Sequence, residues 1–183
     1  MRLSLFAIVI ASAVSAPAYA CRMYSPLELD DVKYADAVVI GRIANYHIVR
    51  DQEFRRKMLA SPFLSAEDKK FYADPTKGLM SDYARFDVIV SQTLSGRVPK
   101  RFSVTWDNST FGEAASLPTG QYLLALRKPG GRIPPLRGPS ATILPDRKDG
   151  TMTILQSPCS SAFLFEVGSR ETQAIRAKLK RAR

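Results

Sequence analysis

Residues 83–94 read Tyr83-Ala84-Arg85-Phe86-Asp87-Val88-Ile89-Val90-Ser91-Gln92-Thr93-Leu94. Phe86, Val88, Val90 and Leu94 are apolar, while Arg85, Asp87, Ser91 and Thr93 between them are polar. Successive side chains of a strand point to opposite faces, so this alternation predicts a strand with one wet face. Residues 101–107 repeat the pattern, with Phe102, Val104 and Trp106 on one side and Arg101, Ser103, Thr105 and Asp107 on the other. Ser95-Gly96 between the two runs is a turn signal, and together they predict an antiparallel hairpin.

Working outward, residues 121–127 predict a strand with Tyr122, Leu124 and Leu126 inward, and residues 162–167 predict another, holding Phe163 and Phe165. The first strand, residues 37–49, is long, mixed on both faces and interrupted by Gly41, which marks a bulge, a bend or a close backbone approach. Such a strand curves through two layers. Five short strands with an edge problem to solve predict a small closed or partly closed antiparallel barrel. Residues 141–144 and 151–155, flanking a turn-rich run from Pro145 to Gly150, suggest a second hairpin.

Two regions break the alternation. Residues 50–81 are rich in helix formers and charge and predict two short helices. The second is opened by Ser65 with Asp68 three residues on, and stopped by Asp74-Pro75. The expected role of this insertion is a lid over one barrel mouth that buries Phe63, Leu64, Phe71 and Tyr72. Residues 169–183 predict a C-terminal helix with Ile175 and Leu179 four apart, carrying six basic residues against Glu171 alone; positive charge there also suits the helix dipole. Residues 127–138 form a Pro/Gly-rich loop in which Arg127, Lys128, Arg132 and Arg137 alternate with Ile133 and Leu136. It is either a contact surface or a solvated connector.

The amino terminus decides the compartment. Arg2, an apolar run from Leu3 to Val14, and Ala18-Tyr19-Ala20 read as a cleaved export signal over residues 1–20. Cys21 would begin a mature chain of 163 residues, a length that predicts one domain over residues 21–183. The expected location is the periplasm or the exterior. The apolar run is too short for a retained transmembrane anchor. Ala18 and bulky Tyr19 disfavour the alternative of a lipidated Cys21. The chain has two cysteines, and an oxidising compartment predicts one bridge, Cys21 to Cys159. On the chain-entropy account, closing so long a loop is worth about 4 to 5 kcal/mol.

Loss of Arg2 with the signal leaves 26 Lys and Arg against 17 Asp and Glu, a formal +9, which favours anionic partners without specifying one. The chemistry-bearing motifs are sparse. The sole histidine, His47, lies in a predicted strand, and the sequence has no Gly-x-Ser-x-Gly elbow, Cys-x-x-Cys pair or phosphate-cradling glycine loop. Asp30-Asp31 and Glu67-Asp68 are expected to be solvated or capping carboxylates. No catalytic residue, metal site or cofactor is expected.

Tyr34-Ala35-Asp36-Ala37-Val38-Val39-Ile40-Gly41-Arg42-Ile43 resembles the opening strand of bacterial secreted proteins with a netrin-like domain, the barrel of the tissue inhibitors of metalloproteinases. Phe86-Asp87-Val88 leading to Thr93-Leu94-Ser95-Gly96, Leu117-Pro118-Thr119-Gly120-Gln121-Tyr122-Leu123-Leu124, and Cys159 ahead of an apolar strand agree in order. The resemblance implies a mainly β fold, a five-stranded antiparallel barrel of the oligonucleotide/oligosaccharide-binding (OB) type with flanking helices and a C-terminal helix. In those inhibitors the mature N-terminal cysteine faces the target's zinc from a Cys-x-Cys start. Here the start is Cys21-Arg22-Met23, so the second cysteine of that wedge is absent.

Together these readings give an exported, non-enzymatic binding module, protein-binding or inhibitor-like within the cell envelope. Its expected contact residues are Cys21, Arg22, Arg127, Lys128, Arg132 and Arg137, and its expected partner is another exported protein. The alternative is a basic barrel for anionic polymers such as glycan, lipid headgroup or nucleic acid.

Overall fold

The computed structural model describes residues 24–79, 81–107, 114–137, 149–157 and 159–181. The signal segment, Cys21, Arg22 and the strand expected at residues 141–144 lie outside them. The fold is mainly β, with a closed five-stranded OB-like barrel. Its strands are β1 (Ala37–Val49), β2 (Tyr83–Ser95), β3 (Arg101–Asp107), β4 (Gln121–Arg127) and β5 (Met152–Ile154). The circuit runs β1-β2-β3-β5-β4 and closes where β4 pairs with β1. Every pairing is antiparallel except β3 with β5, which is parallel.

β2 and β3 form the hairpin expected from their alternation, with Phe86 opposite Val104 and Val88 opposite Phe102. Gly96 ends β2 at a φ of 75°, and a Cβ there would stand 2.2 Å from the carbonyl oxygen of Asp36. Gly41 marks a close approach of two backbones, since its Cβ would lie 2.6 Å from the carbonyl oxygen of Ile89. The β1–β2 register shifts at that point and again between Ala44 and His47, where Asn45 takes a φ of 55°.

The fifth barrel strand, β5, lies within the run 151–155 that was expected as one arm of a second hairpin, and the strand expected at 162–167 stands outside the barrel. The later run contributes β6 (Leu164–Glu166), which continues along the edge of β4 outside the circuit, with Leu123 opposite Phe165. Leu155 and Phe163 bond to the backbone of Ala125 between the two short strands.

The core has two compartments. Val39, Phe86, Val88, Val104, Tyr122, Leu124, Leu126 and Ile154 fill the barrel. Val38, Ile40, Leu123, Ala125, Leu155 and Phe163 face outward from it and are covered by Ile175 of α3 (Arg170–Arg181) and by Val32 of a 3₁₀ turn, Leu29–Tyr34. β4 and the first part of β1, residues 37–41, are therefore buried on both faces, and such stretches read as continuous apolar runs. Among the described residues no helix is long and apolar enough to cross a membrane.

The insertion between β1 and β2 holds α1 (Gln52–Ala60) and α2 (Ala66–Ala73), packed on each other. Ser65 caps α2 as expected, accepting from the Asp68 amide at 3.0 Å. The lid expectation fails. α2 buries none of its residues, Phe71 is exposed, and Phe63 at the turn is 95% exposed. The reason is a charged hub at the hairpin's root. Buried Asp82 accepts from Arg50 at 2.7 Å and from the amides of Asp51 and Leu79. Arg55, also buried, reaches Asp82 at 3.6 Å and donates to the carbonyls of Tyr72, Asp74 and Lys77. A hairpin organised around buried polar groups leaves its aromatic side chains outside.

Candidate functional site

Residues 127–137 fold back along residues 25–36 in the opposite direction. Lys128 donates its amide to Asp36 Oδ2 at 2.8 Å, Arg132 donates to the carbonyl of Lys33 at 3.2 Å, and Arg137 reaches Asp31. Two segments rich in Pro and Gly or in 3₁₀ structure have no ladder to share, so side chains satisfy their backbones instead.

Asp31 is the anchor. It is fully buried and accepts from both terminal nitrogens of Arg137, one of them at 2.8 Å, and from Ser157 Oγ at 2.8 Å. Burial pushes its carboxyl up, but the bonds from Arg137 and Ser157 outweigh that and hold it below the usual carboxylate range. Asp31 in turn raises the guanidinium of Arg137 above its ordinary value. The bidentate fork is the strong form of this contact. Ser25 Oγ donates to the Arg137 carbonyl at 2.8 Å, completing the clasp. Asp31 was expected to be solvated or capping; it is instead the buried counter-ion of the loop.

The remaining loop cations are placed differently from one another. Arg127 donates to the carbonyl of Gly131 at 3.2 Å within the loop. The Arg132 guanidinium lies 5.8 Å from the centre of the Tyr34 ring, and Lys33 lies 5.3 Å from the same ring on its own account. Lys128 keeps an exposed side chain. Thus two of the four cations expected as contacts in this loop, Arg132 and Arg137, tie it through their side chains to the 3₁₀ turn, and Arg127 braces the loop internally. The loop turns Leu136, 52% exposed, and Ile133, 39% exposed, outward together with Lys128 and Arg132. Tyr24, 51% exposed, extends this edge from the residue beside Ser25 and bonds Ser161 Oγ through its hydroxyl.

Cys159 is buried at the same end. It takes a φ of 64°, and its carbonyl accepts from the Ser25 amide at 2.8 Å. The chain four residues after Cys21 is thereby fixed against Cys159.

On the outer face of β2 and β3, Asp87 accepts from Arg101 at 2.7 Å, Ser103 at 2.8 Å and Asn45 at 2.9 Å. Those three donors, Arg101 foremost, hold its carboxyl down at about 2. His47 is exposed, and its Nδ1 lies 2.8 Å from the carbonyl of Asn45. Among the described residues no group of three or more His, Cys, Asp or Glu is placed to hold a metal ion.

No family model matches the sequence, and no curated protein is significantly similar to it.

The sequence missed Tyr24 and Asp31 as parts of this edge. A weak signal for Asp31 was present, since a carboxylate directly before the apolar Val32 of an apolar-charged turn is a position that burial can reach.

Proposed function

We propose that this protein is an exported, non-enzymatic module that binds another protein of the cell envelope, with a netrin-like barrel as its scaffold. One observation carries the reading: the loop of residues 127–137 is clasped through Arg137 to buried Asp31 and holds Leu136 and Ile133 out to solvent. Clustered exposed apolar side chains with a polar rim are a feature of protein contact sites. A surface for anionic polymers would instead use the exposed Lys128 and Arg132 of this loop and need Arg137 outward as well.

A Cys21–Cys159 bridge belongs to this proposal. The Ser25 to Cys159 backbone bond supports it by bringing the start of the mature chain to the buried cysteine. Intact mass of the exported protein, with and without reduction before thiol alkylation, tests it: two thiols reactive only after reduction support the bridge, and two freely reactive thiols refute it.

The binding reading is tested by cross-linked capture from envelope extract with the wild type, Ile133→Asp and Leu136→Asp. A defined protein recovered by the wild type and lost with both variants is the expected result. Equal recovery by all three forms refutes the proposed edge. Salt-steep retention on a sulfated polysaccharide resin, weakened in Arg132→Gln, would replace it with the anionic-polymer reading.

A further inference from the structure

The basic face of α3 meets the far end of β2 in a groove of about 270 Å³ lined by Gln92, Thr93, Leu94, Arg176, Leu179 and Lys180. That volume is just below the ordinary range for small-molecule sites, about 300 to 1,000 Å³, so its occupant is small. The lining sorts into two kinds. Leu94 and Leu179 are half-buried and belong to the outer apolar compartment. Arg176 and Lys180, one helical turn apart, supply positive charge, and among the described residues no carboxylate lines the groove.

The cations of α3 are not equivalent. Lys178 is paired with Asp30 across the helix interface. Arg176 and Lys180 make no salt bridge among the described residues. Arg176 is also under-satisfied. Its Nη2 reaches only the neutral Gln92 Oε1, at 3.3 Å, and its Nε is buried without a hydrogen-bond partner. A buried donor left unmatched is costly. An oxyanion that displaces the Gln92 amide would satisfy Nε and Nη2 along one edge of the guanidinium, the bidentate geometry that arginine favours.

We propose that this groove binds a short aliphatic chain ending in an anion, either a carboxylate or a phosphate monoester. The head sits between Arg176 and Lys180, and the chain lies on Leu94 and Leu179. The site shares no side chain with the edge formed by Tyr24, Ile133 and Leu136, so it stands or falls separately from the protein-binding reading.

The test is an NMR titration of the leucine methyl groups of the full mature protein with octanoate, octyl phosphate, octanol and inorganic phosphate. Saturable shifts of the Leu94 and Leu179 methyls by octanoate or octyl phosphate are expected. Octanol and inorganic phosphate should each bind about 10-fold more weakly or worse, because each lacks one half of the ligand. The tighter of the two anionic amphiphiles tells a fatty acid from a phosphate ester as the source. Arg176→Gln should weaken binding about 10-fold, and Arg176→Lys nearly as much, because lysine keeps the charge and loses the fork. Lys180 is exposed and makes no salt bridge among the described residues, so Lys180→Gln tests the head-group contact without a folding penalty; a several-fold loss is expected. Octanol matching octanoate, inorganic phosphate matching octyl phosphate, no saturable shift up to about 10 mM, or full affinity in Lys180→Gln and Arg176→Gln would each overturn the proposal.

Discussion

Replacing Arg137 with leucine should release the loop of residues 127–137 from the barrel. The substitution removes two bonds to Asp31 and leaves a fully buried carboxylate with Ser157 as its remaining side-chain donor. Breaking a buried ion pair from one side costs about 3 to 5 kcal/mol. The Arg137 side chain is 31% exposed, which screens the pair and puts the expected loss at the lower end, about 3 kcal/mol. For a chain of this size that corresponds to a fall in Tm of roughly 6 to 12 °C. Asp31→Asn should cost less, about 1 to 2 kcal/mol, because the stranded guanidinium can reach water and the amide keeps the shape.

The pH dependence has a definite sign. The native Asp31 carboxyl lies below its ordinary value of 3.8, so its contribution is complete above that pH and is lost as pH falls through the native value. In Arg137→Leu, burial without the guanidinium raises the carboxyl, so the penalty is full well above the raised value, shrinks as pH falls through it and is relieved by about pH 4, the ordinary carboxylate value. Thermal and denaturant unfolding of the wild type and both variants at pH 7 and pH 4 measure this directly. A Tm within about 2 °C of wild type at pH 7, or a larger loss in Asp31→Asn than in Arg137→Leu, would refute the clasp and return Arg137 to the pool of free contact residues.

The hub under the helical hairpin makes a second prediction: Arg55→Leu should cost about 3 kcal/mol and speed hydrogen exchange in α1 and α2 before it affects the β4 amides. Gly96→Ala should lose at least about 2 kcal/mol in denaturant unfolding, since a Cβ meets the Asp36 carbonyl in a left-handed backbone; an unchanged midpoint would mean that the β2–β3 turn is laxer than described. Phe63→Ser should leave stability within about 0.5 kcal/mol, and a larger loss would show that the ring is covered in solution. The Asp87 carboxyl, followed by NMR, should titrate at about 2 and move back toward the ordinary range in Arg101→Gln.

The parts of the fold that were legible in the sequence are those with one wet face. β2 and β3 alternate because water touches one side, and Ser65 with Asp68 marks a helix start by purely local chemistry. β4 was half legible: Tyr122, Leu124 and Leu126 do point into the barrel, but the equal burial of Leu123 and Ala125 depends on α3 and Phe163, which arrive about 40 to 50 residues later. β5 has three residues, too few for a period, and its parallel pairing with β3 depends on topology rather than on a local pattern. Asp31 and Arg137 are 106 residues apart, so nothing near either one announces the pair; loop composition alone made Arg137 look available. The hairpin misled for a related reason, because four aromatic or aliphatic side chains suggest a buried face unless the polar hub at Asp82 and Arg55 is known.

β4 is a wall shared by two compartments, and that has a consequence for the chain before it folds. A strand buried on one side carries polar residues at every second position, which keep it soluble when it is unfolded. Tyr122-Leu123-Leu124-Ala125-Leu126 has none. It is five consecutive apolar residues with high propensity for self-association, bounded by Gln121 before it and Arg127-Lys128-Pro129 after it. Two charges and a proline at the end of such a run act as gatekeepers against strand stacking. The same Arg127 and Lys128 that were read as a contact surface would then guard an aggregation-prone stretch of the barrel during the interval between synthesis and closure.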